Sequence, residues 1–363
     1  MIMPKLLEDF KKQLPEKQLK INEPLAPYTT LKIGGPADLF FVAQTEDELI
    51  KAVKLAQKYK IDWVVLGWGS NILISDDGFR GLVIRNQSKE IKILGPAPEN
   101  IKKERVISEE DRHDFAVIKG KEYEVKFDDL DYDETHLPVK LVKAASGEGL
   151  QKLITWTLEH GLTGLQWFAR IPGTIGGAVF NNIHGGSHFF EEYLHEVTVL
   201  NPQGEIKTLT INDLGFGYDR SRFHQSGETI LNVTLKLFEG DVDRAKEVAM
   251  QWANRKSVQP HNSPGCVFKN ITQQERKRLG YPTTGTGYII EWILKFTNKK
   301  VGGARVYDRH HNFIVNDGNA TAKDYLTLIK QIKAETKRKT GVNLEPEIIF
   351  VGFSDEELKG VSH

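Results

Sequence analysis

Leu66-Gly67-Trp68-Gly69-Ser70-Asn71-Ile72-Leu73 follows a short, branched, apolar run, Ile61-Asp62-Trp63-Val64-Val65, that reads as a buried strand. Glycine lets backbone amides approach a ligand closely, and successive amides form an anion-binding nest. The Ser70 hydroxyl and the Asn71 amide add donors. Gly67 and Gly69 fit the first two positions of a dinucleotide fingerprint, but Ile72 stands where the third glycine belongs, and no helical pattern follows. Spacing alone therefore leaves a phosphate cradle and ligand-free tight turns both open. A second glycine-dense run is Ile171-Pro172-Gly173-Thr174-Ile175-Gly176-Gly177-Ala178. It removes side-chain bulk over a stretch that suits either close helix packing or a flat ring system. Two such runs beside strand signals favour one large shared ligand.

Working outward, helical and strand signals alternate. Thr45 with Glu48 forms a capping box, and Leu49, Ala52, Val53 and Ala56 share one helical face. Leu82-Val83-Ile84 reads as a buried strand. Thr321 and Asp324 cap a second helix with Leu326, Ile329 and Ile332 on one face; Gly341 ends it, and Leu344 to Phe350 reads as a returning strand. Residues 87–137 are rich in Lys, Glu and Asp and read as a solvated insertion, with strand signals at Phe115-Ala-Val-Ile and Tyr123-Glu-Val-Lys-Phe.

The 363 residues exceed one ordinary core, so two or three lobes are expected. Lys+Arg and Asp+Glu both number 49, which argues against a nucleic-acid binder relying on a large positive excess. One cysteine, Cys266, excludes a disulfide framework within the chain and a four-thiolate zinc site. His184 and His188 are four apart, but Gly185 and Gly186 between them argue against a rigid metal face, so no metal is expected. No apolar run approaches the ~18 residues of a membrane span, and the start, MIMPKLLEDFKKQLPEKQ, lacks signal-peptide features. A soluble cytoplasmic monomer is the expectation.

Seven segments, in order, carry a family resemblance: Thr30 to Asp38, Leu66 to Leu73, Ile171 to Ala178, Phe216 to Ser221, Gly265 to Asn270, His311 to Asn316 and Leu344 to Ile348. Together they resemble the UDP-N-acetylenolpyruvoylglucosamine reductases, in the branch without an extra substrate-clamping loop. The insertion is not covered. The resemblance implies an α+β fold: a two-lobed FAD-binding module of the vanillyl-alcohol-oxidase/PCMH type plus a C-terminal α+β substrate-binding domain. Lobe one would hold residues 1–66 and 341–363, lobe two 67–255, and the substrate domain 256–340. The implied reaction is FAD-dependent reduction, by NADPH, of the enolpyruvyl group of UDP-N-acetylglucosamine enolpyruvate to UDP-N-acetylmuramate in peptidoglycan precursor synthesis. Another FAD oxidase or dehydrogenase of sugars or lactones is the alternative.

By the same resemblance, Gly67, Gly69, Ser70, Asn71 and Leu73 would face the FAD pyrophosphate. Pro172, Gly173, Thr174, Gly176 and Ala178 would line the ribityl and ring region, with Ala145, Ser146 and Gly147 at a further strand end. Cys266 stands at the proton-donor position, commonly a serine in the family. Glu345 and Glu347 share a strand face, so spacing cannot choose between them; the resemblance chooses Glu347 as the second catalytic group. The family's arginine directly follows the tyrosine, whereas here Asp219 follows Tyr218. Strand alternation puts Tyr218, Arg220 and Arg222 on one face, so Arg220 is the expected catalytic cation and Arg222 the second choice. Tyr218, Ser221, Arg222, Lys269 and Asn270 would meet substrate.

Overall fold

The computed structural model describes residues 4–98, 101, 116–119, 122–125 and 130–361. The first sheet orders its strands Leu19–Pro24, Pro36–Ala43, Phe79–Asn86 and Trp63–Leu66; the first pair is antiparallel and the others parallel. The helix Glu46–Tyr59 covers it, burying Leu49, Ala52, Val53, Leu55 and Ala56. Its start is fixed as the sequence predicts: the Glu48 N–H donates to Thr45 Oγ1 at 3.2 Å, and Glu48 accepts from the Gln44 N–H at 2.7 Å. The lobe boundary expected between residues 66 and 67 falls inside this unit. Phe79–Asn86 hydrogen-bonds to both Pro36–Ala43 and Trp63–Leu66, so the first sheet extends to Asn86.

The second sheet is antiparallel, in the order Ile206–Thr210, Leu194–Leu200, Thr229–Phe238, Val139–Ala145 and Ile91–Pro96. Thr229–Phe238 is buried at every position, as a central strand covered on both faces must be. Ile91–Pro96 falls within the expected insertion, yet it is an edge strand of this sheet. Its exposure alternates residue by residue, with Ile91 and Ile93 turned inward. Beyond it, Ala116–Lys119 and Glu122–Val125 pair antiparallel, where strand signals were read; Phe115, Lys126 and Phe127 lie outside the described residues.

The third unit packs the helix Ala322–Thr340 beside the strands Lys300–Val301, Ala304–Val306 and Ile314–Asn316. Thr321 and Asp324 form the predicted capping box, and Gly341 closes the helix at φ +75°. The first lobe adds a second cap: Asp76 accepts from the Ala322 and Lys323 N–H groups at 2.8 and 3.0 Å. The expected strand from Leu344 to Phe350 is regular only at Ile349–Val351, which pairs in parallel with Ile72–Ile74. Glu345 to Glu347 instead runs beside the Cys266 segment, through a bridge between Phe268 and Pro346.

Three chain segments meet at Gly78, which sits at φ +78° with Pro36 O only 1.8 Å from where a Cβ would stand. Gly78→Ala is expected to destabilise the fold by roughly 3 kcal/mol or more, because backbone must move and the φ is unfavourable. Chemical denaturation of the variant beside the wild-type chain checks this.

Candidate active site

The three units enclose a cavity of about 1720 Å³. One wall is the loop Gly67 to Asn71; the facing wall is Pro172 to Ala178. The two are locked together by the Ser70 hydroxyl, which donates to Pro172 O at 2.7 Å. A Cβ on Gly67 would stand 2.6 Å from Thr174 Oγ1, and one on Gly69, at φ +62°, 2.4 Å from Tyr28 O. Glycine is thus required at both positions, by the Thr174 side chain at Gly67 and by backbone at Gly69. This fits a flat, phosphate-bearing cofactor. Its volume exceeds the ~300–1000 Å³ of a usual single-ligand pocket, leaving room for a second large molecule.

Gly67, Gly69, Ser70, Asn71, Pro172, Gly173, Thr174, Gly176 and Ala178 all line the cavity. Leu73, Ala145 and Gly147 do not. Leu73 packs into the C-terminal core and Ala145 is buried in its sheet. A Cβ on Gly147 would meet Ser88 N at 2.5 Å, so that glycine serves packing behind the wall. Between them, Ser146 reaches the cavity.

The C-terminal domain contributes Cys266, Asn270 and Glu347 to the lining. Cys266 and Glu347 come together because their segments run side by side. The Glu347 N–H donates to Val267 O at 2.8 Å, and the Lys269 N–H donates to Glu345 O at 2.9 Å. Asn312 holds this arrangement: its amide donates to Phe268 O at 2.7 Å and its Oδ1 accepts from Phe268 N–H at 3.1 Å. Burial pushes the Cys266 thiol well above its ordinary range, and the charges of Glu347 and Asp219 add to this against a hydrogen bond from Asn312. Burial likewise raises the Glu347 carboxyl well above its ordinary range, reinforced by Asp219 and opposed by Lys269. Burial and the same acidic neighbours hold the Tyr218 phenol protonated. The site therefore gathers a thiol, a carboxyl and a phenol that burial makes harder to ionise, beside Asp219.

The arginines stand elsewhere than strand alternation predicts. Gly217 and Arg220 exchange two backbone hydrogen bonds, 3.1 and 3.2 Å, closing a tight turn with Tyr218 and Asp219 at its tip. Asp219 adopts φ +47°, a conformation aspartate tolerates better than most residues. The turn sends Tyr218 and Asp219 into the cavity. Arg220 is exposed and lies along Gly217, its Nη2 3.2 Å from where a Cβ there would be. Arg222 pairs with Glu228 at 3.0 Å and donates to Asp213 O at 3.0 Å. Neither lines the cavity. Arg220→Ala is expected to leave turnover within about threefold of wild type, the size of a surface change; steady-state kinetics checks it.

Of the expected substrate residues, Tyr218 and Asn270 line the cavity. Ser221 is buried and donates to Phe180 O at 2.6 Å, and Lys269 lies 3.8 Å from Glu345. The sequence reading missed Asp219 as a cavity group, and with it Tyr288, Arg309 and Asn312. The Gly-Tyr-Asp spacing at 217–219 was the signal for the turn. His184 and His188 part company: His184 lines the cavity, whereas His188 is buried on Trp167 and hydrogen-bonds Asp131 at 2.7 Å. Among the described residues no group of three or more His, Cys, Asp or Glu could hold a metal ion. No described helix is long and apolar enough to cross a membrane.

Residues 258–351 match the C-terminal domain of UDP-N-acetylenolpyruvoylglucosamine reductase, and residues 37–97 and 126–210 match an FAD binding domain. A UDP-N-acetylenolpyruvoylglucosamine reductase from Streptococcus thermophilus is 31% identical over 350 residues, covering 96% of this chain and 97% of the relative. The chain belongs to the UDP-N-acetylenolpyruvoylglucosamine reductase family. A reductase of that name from Bacillus subtilis is 29% identical across 96% of this chain and 99% of its own length. The crystal structure of the Thermus caldophilus enzyme superposes with a TM-score of 0.65 at 26% identity, covering 92% of this chain and 98% of that one. The chain is thus an oxidoreductase of peptidoglycan precursor synthesis, with an FAD binding domain and a C-terminal domain characteristic of the reductase family.

Proposed function

We propose that this chain reduces the enolpyruvyl double bond of UDP-N-acetylglucosamine enolpyruvate to give UDP-N-acetylmuramate, with NADPH as the electron source. The observation that carries the reading is the meeting of Cys266 and Glu347, whose segments run side by side, in a glycine-walled cavity large enough for a cofactor and a sugar nucleotide.

Gly67, Gly69, Ser70 and Asn71 would hold the FAD pyrophosphate, and Pro172 to Ala178 its ribityl and ring end. FAD, when bound, supplies hydride chemistry that side chains lack. Saturating a C=C bond also needs a proton on the second carbon and a partner for the negative charge that builds on it and its carboxylate. Cys266 delivers that proton and regains one from solvent. Glu347, kept as the acid, donates a hydrogen bond to the carboxylate. Asn270 and Tyr218 border the space left for the sugar nucleotide. A cytoplasmic monomer serving cell shape and cell division follows from this reading.

The visible spectrum tests it. Purified chain reconstituted with FAD should show flavin absorbance that NADPH bleaches and the enolpyruvyl sugar nucleotide restores. Restoration by oxygen alone overturns the substrate; failure to take up FAD overturns the reading entirely.

A further inference from the structure

We propose that Trp68 is the platform on which the adenine of FAD stacks, and that it thereby sets a preference for FAD over flavin mononucleotide (FMN). The inference deepens the cofactor reading above and rests on it. Trp68 lies between Gly67 and Gly69 and lines the cavity. It is 45% exposed. Among the described residues the other exposed large apolar side chains are Ile21, Leu94, Ile206, Met250 and Trp292, and none of these lines the cavity. A single apolar side chain on an outer surface needs no explanation. An indole face presented inside a cofactor-sized cavity offers a contact to whatever flat group enters.

The ring is held in place. Its loop is fixed at Gly67 by the Thr174 side chain and at Gly69 by Tyr28 O. The six-membered edge of the indole leans on Gly149, where a Cβ would stand 3.2 Å from Trp68 Cζ2 and 3.9 Å from Cε2 and Cη2. Gly149 in turn bridges to Thr174 and opens the helix Leu150–Glu159. Ser70, on the same loop, is tied to Pro172 in the wall read as the flavin end. Trp68 leans instead on Gly149. An aromatic ring positioned before its ligand arrives loses little freedom on binding.

Covalent connectivity names the ligand. In FAD the adenine is one ribose away from the pyrophosphate, so phosphates seated on the Gly67 to Asn71 loop bring the base beside that loop. Adenine is flat and uncharged, and its stacking on an aromatic side chain needs no charged partner in the cavity. The other tryptophans of the lining are committed. Trp63 packs against the first-lobe core, and Trp252 is buried beneath Gly186, where a Cβ would meet its Cζ2 at 2.6 Å. Phe180 packs on His224 with ring centroids 4.4 Å apart, and Tyr218 stands with Cys266 and Glu347 at the reacting end.

Calorimetric titration of the full chain, stripped of flavin, with FAD, FMN and ADP tests the proposal. FMN carries the flavin without adenine, and ADP the adenine without flavin. In Trp68→Ala the dissociation constants of FAD and ADP are expected to rise together by about 5- to 100-fold, the range of one lost base–aromatic stack, with that of FMN unchanged. Trp68→Phe, which keeps an aromatic face, should bind FAD within about threefold of wild type. FAD affinity in Trp68→Ala within about twofold of wild type overturns the proposal. Equal weakening of FMN and FAD also overturns it, since that marks a part for the ring in shaping the loop. An unchanged FAD constant with a raised KM for NADPH or the sugar nucleotide gives the ring to another ligand and overturns it too. Wild-type chain that takes up no flavin at all is a different failure: it ends the cofactor reading, and this inference with it.

Discussion

Cys266→Ala is expected to lower the rate of substrate reduction by about 10²–10⁴-fold, the range for a lost general acid, while NADPH still bleaches the flavin at the wild-type rate. The split follows from geometry. Cys266 comes from the C-terminal domain, paired with the Glu347 segment, and the walls that suit FAD come from Gly67 to Asn71 and Pro172 to Ala178. Removing the sulfur leaves those walls intact. Two features make a thiol serviceable at this place. Its reference pKa of ~8.5 is far below that of an alcohol, and burial with two acidic neighbours keeps the proton on sulfur until substrate arrives. Cys266→Ser should retain measurable turnover, because a hydroxyl is the group commonly found in this family position. Equal activity of the alanine and wild-type proteins in stopped-flow reoxidation would show that Cys266 only packs.

Glu347→Gln is expected to reduce kcat/KM by about tenfold or more, since a weaker amide N–H replaces the carboxyl O–H proposed to donate to the substrate carboxylate. The same substitution has a stability signature. Burial, then the charge of Asp219, raises the folded-state carboxyl, so folding takes up a proton there. The stabilising contribution of that proton is complete below the unfolded value of ~4.3 and is lost as pH rises through the folded one. Wild-type thermal stability should therefore fall relative to Glu347→Gln as pH climbs from the ordinary carboxylate range. Parallel melting curves at every pH would remove Glu347 from the list of buried acids.

Much of the scaffold was legible because it depends on local chemistry. Thr45 with Glu48, Thr321 with Asp324, and Gly341 place helix ends through groups a few residues apart, and they do so in the folded chain. The glycines at 67, 69 and 176 signalled close approach, and a Cβ at each would crowd Thr174, Tyr28 or Ser146. Boundaries were harder. Phe79–Asn86 joins the first sheet and Ile91–Pro96 the second because strand partners are chosen over long separations. The insertion's charged composition hid a strand whose alternate residues are apolar.

By itself, then, the order of residues determined the family and singled out the glycine-lined walls and the Cys266 and Glu347 segments that the cavity brings together. Tertiary structure alone decided which charged groups reach the cavity. Alternation along an assumed strand put Arg220 beside Tyr218, whereas a two-residue turn reverses the chain there and presents Asp219 instead. His184, 35 positions away in sequence, meets that carboxylate only because the strand pairing His184–Phe189 and the turn are packed against each other. The period of a strand is a local property, but the sign of the charge in a cavity is set by which segments close around it.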